Sequence, residues 1–275
     1  MNIFMIGSES SHAAHFASAL KSLSNNESFH VSDLWTGDGN NYACDVQTAF
    51  PKVNFVEDVE ATIARSDGVI ITLRRASEHF DYATLAIEHK KPVFVDKPFT
   101  DTPERAQILH ELGKKNNVVV SGGSTLCCLS NFEANLSAIR NATTVKISFY
   151  ADPSSPYEGI RFYGSHLTDL YSMYSSGLPE RITLSSNCEQ YMIDFFHNSQ
   201  NVRFTMRNSP SPVLITFDDE TIELSQTECY MAGMEHFTNI LKNKKASDSE
   251  RLLRSVKLMS MIEKSFEQKY VLNRN

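Results

Sequence analysis

The chain has 275 residues, of which 41% are hydrophobic, and its formal net charge at pH 7 is −7. This length allows two domains or one large one, and the acidic balance argues against a nucleic-acid-binding surface. No apolar run reaches the length of a membrane-spanning helix, and the first seven residues lack the basic region of a signal peptide. We therefore expect neither a nucleic-acid nor a membrane partner.

The five cysteines are odd in number and are spaced neither as a zinc site nor as a disulfide framework. Reduced thiols in a cytoplasmic protein explain this usage. We predict no metal site.

A strand, a turn and a helix open the chain. Asn2–Ile6 is a compact apolar run, and Ser11–Leu23 has the apolar spacing of a helix. The pyrophosphate of a dinucleotide would bind at the turn between them, on free N–H groups of the helix N-terminus. Of the glycine fingerprint G-x-G-x-x-G only Gly7 is present, because Glu9 replaces the second glycine and His12 the third. Hydroxyl groups that could bind phosphate or cap the helix belong to Ser8, Ser10 and Ser11.

The second strand is predicted over Phe29–Leu34, with Asp33 near its end. Dinucleotide-binding folds carry an acid there that binds ribose hydroxyls, and it would favour NAD over NADP by repelling a 2′-phosphate. A strand-terminating turn aspartate is the alternative. Residues 35–51 are rich in Gly, Asn and Asp, and their sequence assigns no element.

Two further strand–helix pairs follow. The shorter pair has its strand at Val53–Val56 and its helix at Val59–Arg65. The other has a clear buried strand at Gly68–Thr72 and a helical pattern from Ser77 to His89. Thr72 closes that strand and His79 opens the helix, so both could face a ligand, although a lone histidine there is usually a surface residue.

The stretch Pro92–Phe99 combines a buried strand with an abrupt charged pair. Apolar residues 93–95 are followed by Asp96 and Lys97, and Pro98 cannot continue a central strand because it has no N–H to donate. Ligands of open parallel sheets bind outside the carboxyl ends of the strands, where Lys97 would reach them. A desolvated lysine could lose its proton near neutral pH and act as an acid or base; a solvated loop lysine is the alternative.

Strands and helices alternate from residue 2 to about 121. A further helix is predicted with Thr100 as its cap and Pro103 near its first position, and Val118–Ser121 is the sixth strand. This alternation predicts an α/β domain with a doubly wound parallel sheet over residues 1–121, suited to a dinucleotide. The carboxyl edge of the sheet would then bring Lys97 close to the candidate cofactor residues.

Residues 122–275 have a different pattern, which predicts an α+β domain with an open, mainly antiparallel sheet. Its strand-like runs are Thr143–Tyr150, Arg181–Ser186, Gln190–Phe196, Val202–Met206, Val213–Phe217 and Thr221–Leu224. Its helices are predicted at Leu129–Ile139, Ser165–Tyr174, Met231–Lys242 and Asp248–Phe266, and 154–163 is predicted to be a loop.

His166 and Asp169 form the candidate constellation of this second half. They open a helix three residues apart, so their side chains share one face. A carboxylate can then orient the imidazole or raise its pKa. A satisfied helix-start histidine with a first-turn aspartate is the alternative.

Asp96-Lys97-Pro98 together with Gly164-x-His166-x-x-Asp169 resembles the Gfo/Idh/MocA family, the relatives of glucose–fructose oxidoreductase and inositol dehydrogenase. The resemblance covers essentially the whole chain, from the Rossmann order to the open sheet and closing helices. It implies hydride transfer between NAD or NADP and a hydroxyl carbon of a sugar, cyclitol or similar polyol.

The resemblance also implies roles for single residues. Lys97 would bind the substrate hydroxyl and assist proton transfer, His166 would be the general acid/base, and Asp169 would position it or contact the substrate. The cofactor would be bound by Gly7, Ser8, Ser10, Ser11, His12, Asp33, Thr72, His79, Asp96 and Pro98.

The chain departs from the family pattern at several positions. Phe162 stands where the family carries an aspartate four residues before the histidine, and Arg74 stands where it carries the asparagine of Thr-Pro-Asn. Arg74 and Arg75 could compensate Glu9 or hold an anionic substrate. A second hypothesis is therefore a non-catalytic member that binds a dinucleotide or sugar and reports it to a partner. Members commonly pair through the open sheet, so a homodimer or higher homo-oligomer is expected.

Overall fold

The computed structural model describes residues 1–24, 29–243 and 247–271. Within these ranges, the first part of the chain forms a six-stranded sheet in which neighbouring strands are parallel. Its strands are β1 (Asn2–Ile6), β2 (His30–Trp35), β3 (Asn54–Phe55), β4 (Gly68–Ile71), β5 (Val93–Asp96) and β6 (Val120–Gly123). The order β3-β2-β1-β4-β5-β6 confirms the predicted doubly wound sheet. The strand order reverses between β1 and β4, where such sheets bind their ligands.

Helices cover both faces of this sheet. Alternate residues of β1 face different cores, with Ile3 in one and Phe4 in the other. The helices are α1 (Ser11–Ser24), α2 (Ala43–Ala49), α3 (Val59–Arg65), α4 (Ala76–Glu88) and α5 (Pro103–Asn116). The sequence did not reveal α2, because only Ala43 and Val46 are buried and they leave no helical stripe.

The cap of α5 differs from the prediction. Thr102, not Thr100, is its N-cap, and the Thr102 side chain accepts a hydrogen bond from the backbone N–H of Arg105. The hydroxyl of Thr100 instead donates to the carbonyl oxygen of Thr102. Both threonines therefore shape the segment that leads from Lys97 into α5.

The second part of the chain forms another six-stranded sheet, in the order β12-β11-β7-β10-β9-β8. Its strands are β7 (Thr144–Tyr150), β8 (Thr183–Ser186), β9 (Gln190–His197), β10 (Gln200–Arg207), β11 (Val213–Phe217) and β12 (Glu220–Leu224). Only the pair β7 and β10 is parallel, which confirms a mainly antiparallel sheet. One face carries the buried side chains of Ile147, Phe204 and Ile215, and the other face is open.

A short 3-10 turn at Thr125–Cys128 leads into α6 (Ser130–Asn141), and α7 (Arg161–Tyr174) begins earlier than predicted. Arg161 is buried, forms an ion pair with Glu263 and donates to the carbonyl of Thr100 at 3.1 Å. These contacts come from distant parts of the chain, so the local pattern did not show them. The first turn of α7 therefore places Phe162 and Tyr163 beside the first sheet.

The closing helices α8 (Glu228–Asn243) and α9 (Ser249–Phe266) return to the first sheet. Phe237 of α8 lies in the same core cluster as Phe94 of β5. Leu252 of α9 joins the other core of the first sheet, whereas Ile262 joins the core of the second. None of the described helices combines the length and apolarity that crossing a membrane requires. β6 extends to Gly123, two residues past the predicted division after residue 121, and α9 contributes to both cores, so the division stays a prediction.

Candidate active site

A cavity of about 220 Å³ opens at the carboxyl edge of the first sheet, between the β1–α1 turn, the end of β5 and α7. We call it the Lys97 cavity. Its polar wall includes three predicted residues, Ser10, Ser11 and His12. The residues on which its chemistry depends are His12, Arg74, Lys97, Phe162, Tyr163 and His166. The two halves of the chain therefore meet in one site.

Lys97 is almost completely buried, with 4% of its surface exposed. Its Nζ lies 3.7 Å from the centre of the Phe162 ring and 5.8 Å from that of Tyr163. Burial lowers the pKa of Lys97 to about 8; the Asp96 carboxylate opposes this shift and the Arg74 charge adds to it. Both protonation states of this lysine are therefore populated near neutral pH.

His166 faces the same cavity from α7. Its Nδ1 lies 2.7 Å from the hydroxyl oxygen of Ser124, and its ring packs edge-on against Phe149 with 5.1 Å between centroids. Desolvation, followed by the charges of Lys97 and His12, holds the pKa of His166 well below its usual value. The imidazole is therefore neutral at physiological pH, and Ser124 fixes its orientation.

Asp169 does not touch His166 directly. Its Oδ2 accepts a 2.6 Å hydrogen bond from the backbone N–H of Ser124, and its Oδ1 lies 3.8 Å from the Arg251 guanidinium. Burial raises the pKa of Asp169, and Arg251 opposes that shift. Asp169 is thus placed to position Ser124, which in turn holds His166.

Sequence reasoning missed Ser124, although the preceding glycines interrupted the strand pattern. Both glycines belong to β6, and both adopt positive φ angles. A Cβ on Gly122 would lie 1.9 Å from the carbonyl oxygen of Val95, and a Cβ on Gly123 would lie 2.6 Å from Oδ2 of Asp169. The glycines are needed for this close approach, and they set Ser124 between the two sheets.

His12 and Asp96 form a second polar pair at the cavity. Nδ1 of His12 lies 2.6 Å from Oδ2 of Asp96, and the His12 ring packs edge-on against Tyr230. Burial raises the pKa of Asp96, but His12 and Lys97 outweigh burial and hold it below its ordinary value. The pair stiffens the wall behind Lys97.

Asp33 lies inside β2 with its carboxylate engaged by other side chains, and its ribose-binding role stays a prediction. β2 continues for two residues beyond it to Trp35. The Asp33 carboxylate accepts hydrogen bonds from Arg65 at 2.6 Å and from Ser32 at 2.8 Å. Arg65 ends α3, which leads back to the amino end of β4, so this ion pair points away from the carboxyl edge.

Other predicted cofactor residues hold the loops of the edge together. The hydroxyl of Thr72 donates to the Gly7 carbonyl at 2.7 Å and thereby joins β4 to β1. Gly7 has φ +99°, and a Cβ there would lie 2.9 Å from the backbone nitrogen of Leu73. The Ser8 hydroxyl donates to the Gly39 carbonyl at 3.1 Å, so it is not free for a phosphate.

His79 is fully buried, unlike the surface histidine that was the alternative expectation. Its two ring nitrogens each lie 2.8 Å from a carbonyl oxygen, one of Pro98 and one of Leu73. His79 therefore braces the ends of β4 and β5, and Pro98 contributes its backbone to that brace.

A second cavity lies along the ends of β2 and β4, and we call it the Trp35 cavity. Its wall includes Glu9, Trp35, Asp38, Leu73, Arg75 and Tyr82. Oε1 of Glu9 accepts a 2.7 Å hydrogen bond from the backbone N–H of Arg74, and Nε of Arg74 donates to the Glu9 carbonyl at 3.0 Å. Glu9 lines the Trp35 cavity and Arg74 lines the Lys97 cavity, so the two hydrogen bonds between these residues lie between the two cavities.

The segment before α7 docks on the same edge through Glu158. Its carboxylate accepts hydrogen bonds from the backbone N–H groups of Ala76 and Ser77, at 2.8 and 3.2 Å, and so caps α4. The ring of Tyr157 lies 4.5 Å from the Arg74 guanidinium. No local pattern signalled these contacts, because they join residues about eighty positions apart.

The residues present suit the two ends of a dinucleotide. The two cavities flank the switch point between β1 and β4, and the first turn of α1 contributes Ser10 and Ser11 to the Lys97 cavity. Glu9 occupies the place where the fingerprint glycine lets a pyrophosphate approach the backbone. The Glu9 side chain, held by the Arg74 N–H, therefore stands where a pyrophosphate would approach the backbone.

Comparisons with known proteins agree with this geometry. Residues 1–124 match the model of the Gfo/Idh/MocA oxidoreductase family, NAD-binding Rossmann fold. The uncharacterized oxidoreductase YhhX of Escherichia coli (strain K12) is 32% identical over 73 residues, which are 26% of this chain and 21% of that protein.

Two solved structures share the fold over nearly their whole length. Scyllo-inositol dehydrogenase from Lactobacillus casei, with bound NAD(H) and scyllo-inositol, has a TM-score of 0.80 at 12% identity, covering 98% of this chain and 97% of that one. The WlbA (WbpB) dehydrogenase from Thermus thermophilus, in complex with NAD and UDP-GlcNAcA, has a TM-score of 0.77 at 14% identity, covering 95% and 94%. The first 124 residues therefore match the NAD-binding part of the Gfo/Idh/MocA oxidoreductase family, and the whole chain shares the two-domain fold of these dehydrogenases.

Proposed function

We propose that the protein is an NAD(P)-dependent dehydrogenase that oxidises a hydroxyl carbon of a sugar, cyclitol or similar polyol, or reduces the matching carbonyl. The proposal rests chiefly on Lys97, which has a pKa of about 8 and lines the same buried cavity as His166. A group that titrates near neutral pH serves a proton-transfer step best. The match of residues 1–124 to an oxidoreductase family supports the same reaction class.

Each side chain has a distinct part in this reaction. Oxidation removes a proton from the hydroxyl oxygen, and neutral Lys97 would accept it. A bound nicotinamide would supply the hydride acceptor. His166, neutral and held by Ser124, offers its second ring nitrogen to the substrate oxygen. The rings of Phe162 and Tyr163 exclude water from the Lys97 ammonium.

We further propose NAD rather than NADP, on different grounds from the Asp33 prediction. The Trp35 cavity, on the side where a ribose would lie, carries four carboxylates against the single cation Arg75; they are those of Glu9, Asp38, Glu78 and Asp81. Their combined charge would repel a 2′-phosphate.

The test is a titration with NADH and NADPH, followed by turnover assays across a polyol panel. We expect saturable binding of NADH and turnover of at least one polyol. Lys97→Ala and His166→Ala should keep cofactor binding and lose turnover. Undiminished turnover in both variants would refute the assignment of the proton step.

The second candidate function is a non-catalytic binding protein. The Glu9–Arg74 bridge across the dinucleotide crevice and the loss of the family aspartate at Phe162 favour it. Stoichiometric NADH binding with no turnover of any polyol would support this reading over the dehydrogenase.

We also propose that the chain forms a homodimer through the open face of the second sheet. The central row of this face is uncharged and half-buried, and it consists of Met192, Thr205, Ser148 and Leu214. Such a face is suited to pairing with a second copy. Cytoplasmic location and the absence of a nucleic-acid partner stay predictions.

Thr205→Glu should convert this dimer into a monomer in light scattering, because it places two like charges at the centre of the paired faces. Glu220→Gln, at the far edge of β12, should leave the dimer intact. A wild-type protein that stays monomeric at every concentration would contradict the dimer.

A further inference from the structure

We propose that the substrate of the Lys97 cavity is a hydroxy acid, such as a sugar acid, whose carboxylate binds Arg74 while its reacting hydroxyl lies at Lys97. This inference rests on the proposed dehydrogenase function and narrows its substrate class. Three features support it: the positive charge of the cavity wall, the unused hydrogen-bond donors of Arg74, and the engagement of the nearby carboxylates by other groups.

The charge of the cavity wall is positive in a chain whose net charge is negative. Arg74 and Lys97 line it, and the described residues around them contribute serine and threonine hydroxyls, aromatic rings, imidazoles, an amide and a thiol. No carboxylate is among these described lining residues. A neutral polyol would leave two neighbouring cations uncompensated in a partly desolvated site, whereas a carboxylate would offset their repulsion.

The Arg74 guanidinium has hydrogen-bond donors that its contacts with the described residues do not use. Its Nε donates to the carbonyl of Glu9, and its guanidinium packs over the Tyr157 ring at 4.5 Å. In the part of the chain that the structure describes, its two terminal nitrogens have no hydrogen-bond partner. A guanidinium held by stacking, with free terminal N–H groups, suits bidentate recognition of a carboxylate.

Nearby carboxylates are already engaged elsewhere. Asp96 binds His12 at 2.6 Å, Glu9 accepts from the Arg74 N–H at 2.7 Å, and Asp169 accepts from Ser124 at 2.6 Å. Among the described residues that line the cavity, none offers Arg74 an anion, so a bound ligand would have to bring one.

Calorimetric titration of the full chain with matched ligands tests the proposal. Gluconate is compared with glucitol, and glycolate with ethylene glycol. In each pair the acid carries a carboxylate where its neutral partner carries a CH₂OH group. We expect each acid to bind at least about tenfold more tightly than its neutral partner, as a charge-assisted hydrogen bond would give. Arg74→Met should abolish this preference, whereas Arg75→Met, which alters the Trp35 cavity, should keep it.

Binding and turnover are read separately, so the two proposals fail separately. Acid binding that depends on Arg74, without any turnover, would support the carboxylate-binding site and refute the dehydrogenase function. Equal or weaker binding of the acids, or no binding of any of them, would overturn the anion site whatever the enzyme oxidises. Tighter binding of glucitol 6-phosphate than of gluconate would also overturn it, in favour of a phosphate ligand.

Discussion

The residue at position 162 strongly affects the pKa of Lys97. An aspartate at the position of Phe162 would place a carboxylate near the ammonium and raise the lysine pKa. The Phe162 ring lies 3.7 Å from Nζ instead, so desolvation dominates and the pKa of Lys97 falls to about 8. The apolar ring of Phe162 therefore makes Lys97 more suited to proton transfer than a carboxylate at this position would.

We predict that Lys97→Met stabilises the fold while it abolishes turnover. The fall in the pKa of Lys97 from 10.5 to about 8 corresponds to about 3 kcal/mol of destabilisation at neutral pH. Contact with the Phe162 ring offsets up to about 2 kcal/mol of this, so the net gain should be about 1 kcal/mol. Denaturant unfolding at pH 7 measures it.

The pH dependence provides the control for this prediction. Between about pH 8 and 10.5 the unfolded chain binds more protons at Lys97 than the folded chain, so the free energy of unfolding should rise with pH. Lys97→Met should lose this part of the rise. An identical pH profile in the variant would show that the lysine is not destabilised by burial.

Ser124 is a positioning residue, and its removal should act through His166. We expect Ser124→Ala to lower kcat about tenfold, because the imidazole loses the 2.7 Å hydrogen bond that orients it. KM should change little, and Ser124→Thr, which keeps a hydroxyl, should restore kcat. Equal losses in both variants, with lowered stability, would indicate a purely structural role.

At the scale of elements, the β1–α1 turn and the end of β4 form one unit that controls access to the dinucleotide crevice. Glu9 fastens the turn to the Arg74 N–H, and a Cβ on Gly39 would lie 2.8 Å from that of Glu9. The loop after β2 therefore packs against the same side chain. The cost of moving Glu9 is part of the cost of binding a pyrophosphate.

We therefore predict that Glu9→Gly tightens NADH binding about tenfold or more, because it removes both the bulk and the negative charge from the pyrophosphate position. Quenching of Trp35 fluorescence measures the dissociation constant. Glu9→Gln should give an intermediate value, since only the charge is lost. Glu57→Gly, which removes an exposed glutamate elsewhere, should leave NADH affinity unchanged. Unchanged affinity in Glu9→Gly would mean that the bridge is no obstacle.

At the scale of the whole molecule, the last helices complete the first domain. Phe237 of α8 is fully buried, with its ring 5.8 Å from that of Phe94 in β5, behind the strand that carries Lys97. A Cβ on Gly68 would lie 2.7 Å from the Leu241 side chain, so α8 packs directly on β4. The Rossmann layer thus depends on residues more than a hundred positions beyond its last strand.

We predict that Phe237→Ala lowers the free energy of unfolding by about 3 to 5 kcal/mol, as expected for a buried phenylalanine. Chemical denaturation followed through Trp35, in the first domain, should report the loss. Phe55→Ala is the control, since Phe55 is 51% exposed and its loss should cost less than about 0.5 kcal/mol. A loss confined to the second domain would contradict this account of α8.

Patterns in the sequence were sufficient for the order of the strands, although they missed α2 and the first turn of α7. Alternating apolar runs predicted the parallel sheet, and the abrupt change at Asp96-Lys97-Pro98 located the carboxyl end of β5. The three-residue spacing of His166 and Asp169 likewise placed both residues on a predicted helix, which is α7. These features depend on neighbours within a few residues, and periodicity reports such neighbours directly.

The tertiary structure alone decided which side chains meet at the site. Asp33 pairs with Arg65 instead of reaching the edge, Ser124 joins Asp169 to His166, and Glu158 caps a helix that lies far away in sequence. Each contact links residues more than thirty positions apart. The sequence by itself determined the order of the strands of this protein. The packing of both domains decided what surrounds Lys97, because burial and charge depend on distance in space and not along the chain.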